Sequence, residues 1–207
     1  VPPTAASRRQ LWAEVGVDCD ALSAQVLVLG LRPVGGDALS RHLRDAAEAG
    51  EPRRITLREL RRSALAVGPG ERVHVCENPA VVAAAAEALG GRCAPLVCVE
   101  GVPSTAAMEL LARLGEGGAR LLARADFDWA GLRIAGQVLA CGAAPWRFGA
   151  DDYRTAVERD RIGPRLAGRG AESPWEPGLA AALRERGVSV PEERLLGELL
   201  EDLALFR

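Results

Sequence analysis

Lysine is absent: all 26 basic residues of this 207-residue chain are arginine. That excludes mechanisms built on a P-loop or Schiff-base lysine and leaves fork-shaped guanidinium groups as the permanent cations. A GC-rich coding bias gives the same usage, so arginine content alone does not indicate phosphate binding. Histidine is scarce, with only His42 and His74, and the five cysteines (Cys19, Cys76, Cys93, Cys98, Cys141) contain no C-x-x-C pair. A structural zinc site is therefore not expected. Three of the cysteines sit in apolar runs and read as buried free thiols, which fits a reducing compartment. No apolar run approaches the roughly 18 residues needed to cross a bilayer, and the opening "VPPTAASRRQ" lacks the apolar core of a secretory signal. A soluble, cytoplasmic protein is expected. The chain starts without methionine, in a Pro/Ala/Ser/Thr stretch of the kind that joins domains, as a piece of something longer would. A formal net charge of −2 gives no global sign of nucleic-acid binding.

What is present fits an ordinary globular protein, with 48% hydrophobic and 26% charged residues. "SRRQLWAEV" (7 to 15) has a helical pattern, and "QVLVLGL" (25 to 31) reads as a β run closed by a turn. Asp37 caps a helix that ends near Ala49, before Gly50 and Pro52. Thr56 and Glu59 form a T-x-x-E capping box that opens a short basic helix. After the "GPGE" turn at 68 to 71 the pattern becomes regular: "RVHVCE" strand, "NPAVVAAAAEALG" helix, "APLVCVEG" strand, "STAAMELLARLG" helix, "ARLLARADFD" strand, "AGLRIAGQVLACG" helix, then "APWRF". Strands alternating with helices of this length mean an α/β fold, with a mostly parallel sheet covered on both faces. Beyond "GADDY" the chain is irregular and rich in Arg, Gly and Pro, then helical at about 178 to 187 and from Pro191 to Leu205. The expected organisation is an N-terminal α/β extension at 1–70, a core at 71–150 and a C-terminal loop and helical segment at 151–207.

Ligands of open α/β sheets bind beyond the carboxyl ends of the strands. Those ends carry Glu77, Glu100, and Asp126 with Asp128. Two like charges about 4 Å apart repel by roughly 4 kcal/mol at an effective dielectric near 20, so four crowded carboxylates need protons or a cation. In an extended strand, positions i and i+2 face the same way at ~6.6 Å, close enough for Asp126 and Asp128 to share an ion. An all-oxygen donor set points to Mg²⁺ or Mn²⁺. Each acid also has a plain reading. Asp128 stands where a helix N-cap would, while Glu77 and Glu100 precede helices that Asn78 and Ser104 would cap. Arginines cluster at Arg53, Arg54, Arg58, Arg61 and Arg62, and again at Arg159, Arg161, Arg165 and Arg169. Such runs are commonly solvated faces, and they matter for nucleic acid only beside a working site.

The order of "VCENPA", "EGVPSTAAMELLARL" and "DFDWAGLRIA" resembles Toprim domains, those of the topoisomerase VI A subunit in particular. From about residue 8 onward the chain is similar to the C-terminal Toprim region of JetD-like proteins, the nuclease subunits of Wadjet plasmid-defence systems. The resemblance implies a Toprim-like Rossmannoid sheet and an Mg²⁺-dependent (or Mn²⁺-dependent) endodeoxyribonuclease. It implies double-stranded plasmid DNA as substrate, subunits of an SMC-like ATPase complex as partners, and a possible homodimer. On it, Glu77 is a metal ligand or general acid/base, and Asp126 and Asp128 are the metal-binding pair. Glu100 is a second-metal candidate with no regular counterpart in the family, and Arg54, Arg58, Arg61 and Arg62 would meet DNA. Topoisomerase VI relatives attack with a tyrosine from another domain. The one tyrosine here, Tyr153, follows the core, so hydrolysis without a tyrosyl intermediate is expected. Two other readings remain: a non-catalytic binding module on a Toprim scaffold, and a haloacid-dehalogenase-type phosphatase. The latter expects its D-x-D at the first core strand rather than the third.

Overall fold

The computed structural model describes residues 21–159 and 163–205. The helix read at 7 to 15, with Trp12, Cys19 and Arg161, lies outside the described residues. The elements run β1 (Gln25–Leu29), α1 (Ala38–Ala49), β2 (Arg53–Thr56), α2 (Leu57–Arg61), β3 (Arg72–Cys76), α3 (Pro79–Leu89), β4 (Leu96–Cys98), α4 (Thr105–Glu116), β5 (Arg120–Ala123), α5 (Trp129–Leu139), β6 (Ala144–Pro145), α6 (Ala150–Arg159), α7 (Pro177–Arg186) and α8 (Leu196–Leu203). Short 3-10 turns lie at Gly90–Arg92 and Glu192–Leu195. One sheet carries the strands in the order β2-β1-β4-β3-β5-β6. The four strands from β3 to β6 are parallel, and β1 runs antiparallel to both β2 and β4. The fold is therefore mixed α/β with a mostly parallel sheet, and the first seventy residues supply β2 and β1, of which β1 alone runs against the rest.

The helix starts follow from local chemistry. Asp37 accepts from Ser40 N at 3.1 Å, Asn78 from Ala80 N at 2.9 Å ahead of Pro79, and Ser104 from Ala107 N at 3.1 Å. Each satisfies an amide that the first helical turn leaves without a partner. Thr56 and Glu59 complete their capping box. β4 is apolar and buried throughout, and β3 is buried from Val73 to Cys76 with only Arg72 exposed at its start, as parallel strands covered by helices must be. Three elements depart from the sequence pattern. β2 is an edge strand with only Ile55 buried, too short for an alternation to show. α6 is highly charged and buries just Ala150, Tyr153 and Ala156. The last helix begins as a 3-10 turn, with the α-helical part starting at Leu196.

This topology fixes where a ligand would sit. From β3 the chain crosses through α3 to β4 on one side, whereas from β5 it crosses through α5 to β6 on the other. Right-handed crossovers in opposite directions place α3 and α5 on opposite faces, opening a crevice above the adjacent ends of β3 and β5. Glu77 follows β3 and Asp126 follows β5. The C-terminal segment then closes over this edge: Phe127 pairs with Val190, Val188 pairs with Arg165, and α8 packs on α3. Among the described residues no helix is long and apolar enough to cross a membrane.

Candidate functional site

The strand β5 stops at Ala123, and past it Asp128 N donates to Asp126 O at 2.9 Å, a tight turn centred on Phe127. Phe127 is fully buried, while Asp126 and Asp128 are only partly buried. Both aspartates are thus nearer to solvent than the ring between them. Asp126 N donates to Glu77 Oε2 at 3.2 Å, which ties the ends of β3 and β5 together. Asp126 Oδ1 accepts from Glu192 N at 2.8 Å. Asp128 Oδ1 caps α5 by accepting from Gly131 N at 2.7 Å. Gly131 is required here, because a Cβ would lie 2.0 Å from Asp126 O. That close approach holds the start of α5 against the aspartate pair.

The three acids have a common feature: each commits one carboxylate oxygen to a backbone N–H. Among the described residues, no hydrogen bond engages Glu77 Oε1, Asp126 Oδ2 or Asp128 Oδ2. No three His, Cys, Asp or Glu side chains among the described residues are drawn into a group that could hold a metal ion as they stand. The charge balance is nonetheless negative. Burial, then the charge of Asp126, pushes the Glu77 carboxyl up to about 7 from 4.5, with Glu192 and Asp128 adding to the effect. Burial likewise raises Asp126, against the hydrogen bond from Glu192 N that lowers it. Oxygen-only donors and an excess of negative charge suit a hard divalent cation, for which Glu77, Asp126 and Asp128 would be the donors.

Among the described residues, Glu100, unlike the other three acids, is paired with a cation. Its carboxylate accepts two hydrogen bonds from the Arg54 fork, at 2.6 and 2.7 Å. The pairing follows from topology: Arg54 registers with Leu27, and Leu27 with Cys98, so β1 and β2 carry the guanidinium to the end of β4. Arg54 in turn is taken by Glu100, which weakens its reading as a DNA contact. Arg58 and Arg61 on α2 and Arg62 at its C-cap are exposed. β2 is parallel to β3 and three strands away, so α2 starts at the same sheet edge as the acids, ~14 Å along it at ~4.8 Å per strand. A cavity of about 650 Å³ lies beside α2, lined in part by His42, Arg58 and Arg62 and by none of the rim acids. Tyr153 is fully buried and donates its hydroxyl to Val188 O at 2.7 Å, so it does not reach the rim.

Two family models match the chain. The first, described as a protein of unknown function C-terminus (DUF2399), covers residues 53–203, and the second, described as a protein of unknown function N-terminus (DUF3323), covers residues 1–33. The chain belongs to the DUF2399 family. No curated protein matches it significantly. The DUF2399 match spans β2 to α8 and so includes all three rim acids and the C-terminal segment that closes over them.

That segment holds the residues sequence reasoning missed. Glu192 is fully buried, and its Oε2 accepts from Glu77 N at 3.1 Å and from Asn78 N at 2.7 Å. Its Oε1 accepts from Arg124 Nε at 3.1 Å. Arg124 is also buried, beside the Phe127 and Trp146 rings, and its Nη2 has no partner among the described residues. Burial raises Glu192 and lowers Arg124, and the charge of each opposes the shift of the other. Exposed Glu193 accepts from Asn78 Nδ2 at 2.7 Å, adding a carboxylate beside the rim. Only one hint was legible: two acids just after Pro191 at a helix start, a position where capping explains them equally well.

Proposed function

We propose that this chain is a metal-dependent endodeoxyribonuclease of the Toprim kind, similar to JetD-like proteins. Its substrate would be double-stranded plasmid DNA, and its partners the subunits of an SMC-type plasmid-defence complex. The observation that carries the reading is the meeting of Glu77, Asp126 and Asp128 at the crevice between β3 and β5, each with one oxygen left over. Mg²⁺ or Mn²⁺, when bound, supplies positive charge for these carboxylates and for the charge that builds on a phosphodiester in hydrolysis. The chain's part is to orient. Asp128 is fixed by Gly131 N and Asp126 by Glu192 N, so neither carboxylate needs to reorganise. Glu77, with Oε2 tied to Asp126 N and an affinity for protons near neutrality, holds or takes a proton at Oε1. The exposed arginines of α2, on the same sheet edge, would contact phosphates.

The test is cleavage of supercoiled plasmid in Mg²⁺ or Mn²⁺, with calorimetric Mn²⁺ titration of the same protein. D126A and D128A should abolish cleavage and weaken Mn²⁺ binding while the circular dichroism spectrum is kept. Cutting that survives both substitutions would reject the proposal. One observation favours a second reading, a non-catalytic nucleic-acid or partner-binding module: every rim acid already has a backbone partner. Absence of divalent binding at millimolar concentration would select that module.

A further inference from the structure

The three acids come from two loops, and both loops are held by one residue from outside the strand-helix repeat. Glu192 accepts from the backbone N–H groups of Glu77 and Asn78, and its own N–H donates to Asp126 Oδ1. The turn that carries it is locked on both sides, by the Phe127–Val190 bridge before it and by Asn78 Nδ2 on Glu193 after it. A carboxylate with no exposure is costly to bury unless its lone pairs are satisfied, and Glu192 has three donors aimed at it, one of them the buried cation Arg124. The arrangement is therefore built around this group. Its place is that of an outer partner which aims the inner carboxylates, since fixing the amides of Glu77 and Asn78 fixes the direction in which Glu77 leaves the end of β3.

We propose that Glu192, anchored by Arg124, is the positioning residue of the acidic rim, and that the C-terminal segment is thereby an obligatory part of the site. The consequence for metal affinity rests on the nuclease reading above, while the consequence for loop order does not.

The two are separated by one set of measurements on the full chain: thermal melting, amide hydrogen exchange at Glu77 and Asn78, and Mn²⁺ affinity. Removing Glu192 alone strands Arg124, so the principal variant is the double substitution R124M/E192L, which removes both buried charges and keeps apolar volume. It is expected to melt close to the unsubstituted protein, yet to exchange the two amides at least about tenfold faster and to bind Mn²⁺ about 10- to 100-fold more weakly. A merely structural role predicts that restored melting restores all three. Unchanged exchange at Glu77 and Asn78 overturns the proposal, whether or not Mn²⁺ affinity falls. Faster exchange in the variant, with no Mn²⁺ binding by the unsubstituted chain, upholds the positioning role and rejects the nuclease reading. If the double variant does not fold, E192Q decides. A neutral amide oxygen accepts less strongly than a carboxylate, so exchange at these two amides should rise severalfold while the β3 amides stay as they were, and no rise overturns the proposal.

Discussion

β3 and β4 lie side by side and parallel, and each is followed by a glutamate: Glu77 directly after Cys76, Glu100 two residues after Cys98. The two acids have opposite surroundings. Glu100 meets the Arg54 fork and sits in a left-handed backbone conformation, φ 54°, on a turn with open space around Gly101. Glu77 is half-buried near two aspartates, and the buried Arg124 pairs with Glu192 instead of with it. A strand end is thus necessary for a site and insufficient for one. What decides is the neighbouring strand: β1 and β2 deliver a cation to β4, whereas β5 delivers more acid to β3.

The contrast is broken most sharply by exchanging charge for neutrality on each side. E77Q is expected to lower metal-dependent plasmid cleavage by about 10²- to 10⁴-fold, the usual range for losing a positioned proton acceptor. E100Q should leave cleavage within about twofold. Equal losses from the two substitutions would put Glu100 back into the site.

The next largest effect concerns the backbone under each acid. G131A pushes a Cβ to within 2.0 Å of Asp126 O, with no flexible atom to give way. A loss of about 3 kcal/mol or more is expected, as for severe overpacking, together with loss of the aspartate geometry. G101A meets nothing within 4 Å and bears only its positive φ, 81°. Roughly 1–2 kcal/mol is expected there. Urea melts of the two variants measure the difference, and equal destabilisation would show that α5 is not pinned against Asp126.

The pH dependence should also divide the two regions. Because Glu77 is pushed up to about 7, chiefly by burial and then by Asp126, the folded chain keeps a proton there that the unfolded chain releases near 4.5. Stability contributed at this site therefore falls as pH rises from about 4.5 to about 7. Buried His74 works in the other sense. Burial lowers it to about 4 from 6.5, so its contribution falls as pH drops through that window. The raw profile mixes the two, and the difference between the unsubstituted chain and E77Q isolates Glu77. That difference should decline between pH 4.5 and 7, and added Mg²⁺ should suppress the decline. A flat difference would mean that neither burial nor the neighbouring acids raise Glu77.

The parallel core, the caps at Asp37, Thr56, Asn78 and Ser104, and the meeting of Glu77 with Asp126 and Asp128 were all legible, because short-range period and turn chemistry specify them. The pairing of Glu100 was not legible because its partner sits 46 residues earlier, on a two-arginine edge strand with a single buried residue, and no local pattern announces such a strand. Glu192 was missed for the complementary reason. Its role depends on a return of the chain over 115 residues to the end of β3, and from the sequence an acid after Pro191 reads as a helix start. Long-range closure, rather than residue type, separates what could be read from what could not.

The smallest predicted effect concerns the Arg54–Glu100 pair itself. Its two hydrogen bonds have good geometry, but the arginine side chain is 51% exposed and the glutamate 28%, so solvent screens the attraction. Exposed pairs of this kind contribute about 0–1 kcal/mol, and E100Q should change stability by no more than that. R54A should cost similarly little in stability. Its informative outcome lies in the metal titration: with Arg54 gone, Glu100 becomes an unpartnered carboxylate at the end of β4, next to Glu77's strand. If pairing alone kept it out of the rim, R54A should strengthen Mn²⁺ binding or add a second weak event, and R54A/E100Q should remove that gain. If R54A leaves the titration unchanged, geometry as well as pairing separates Glu100 from the other three acids.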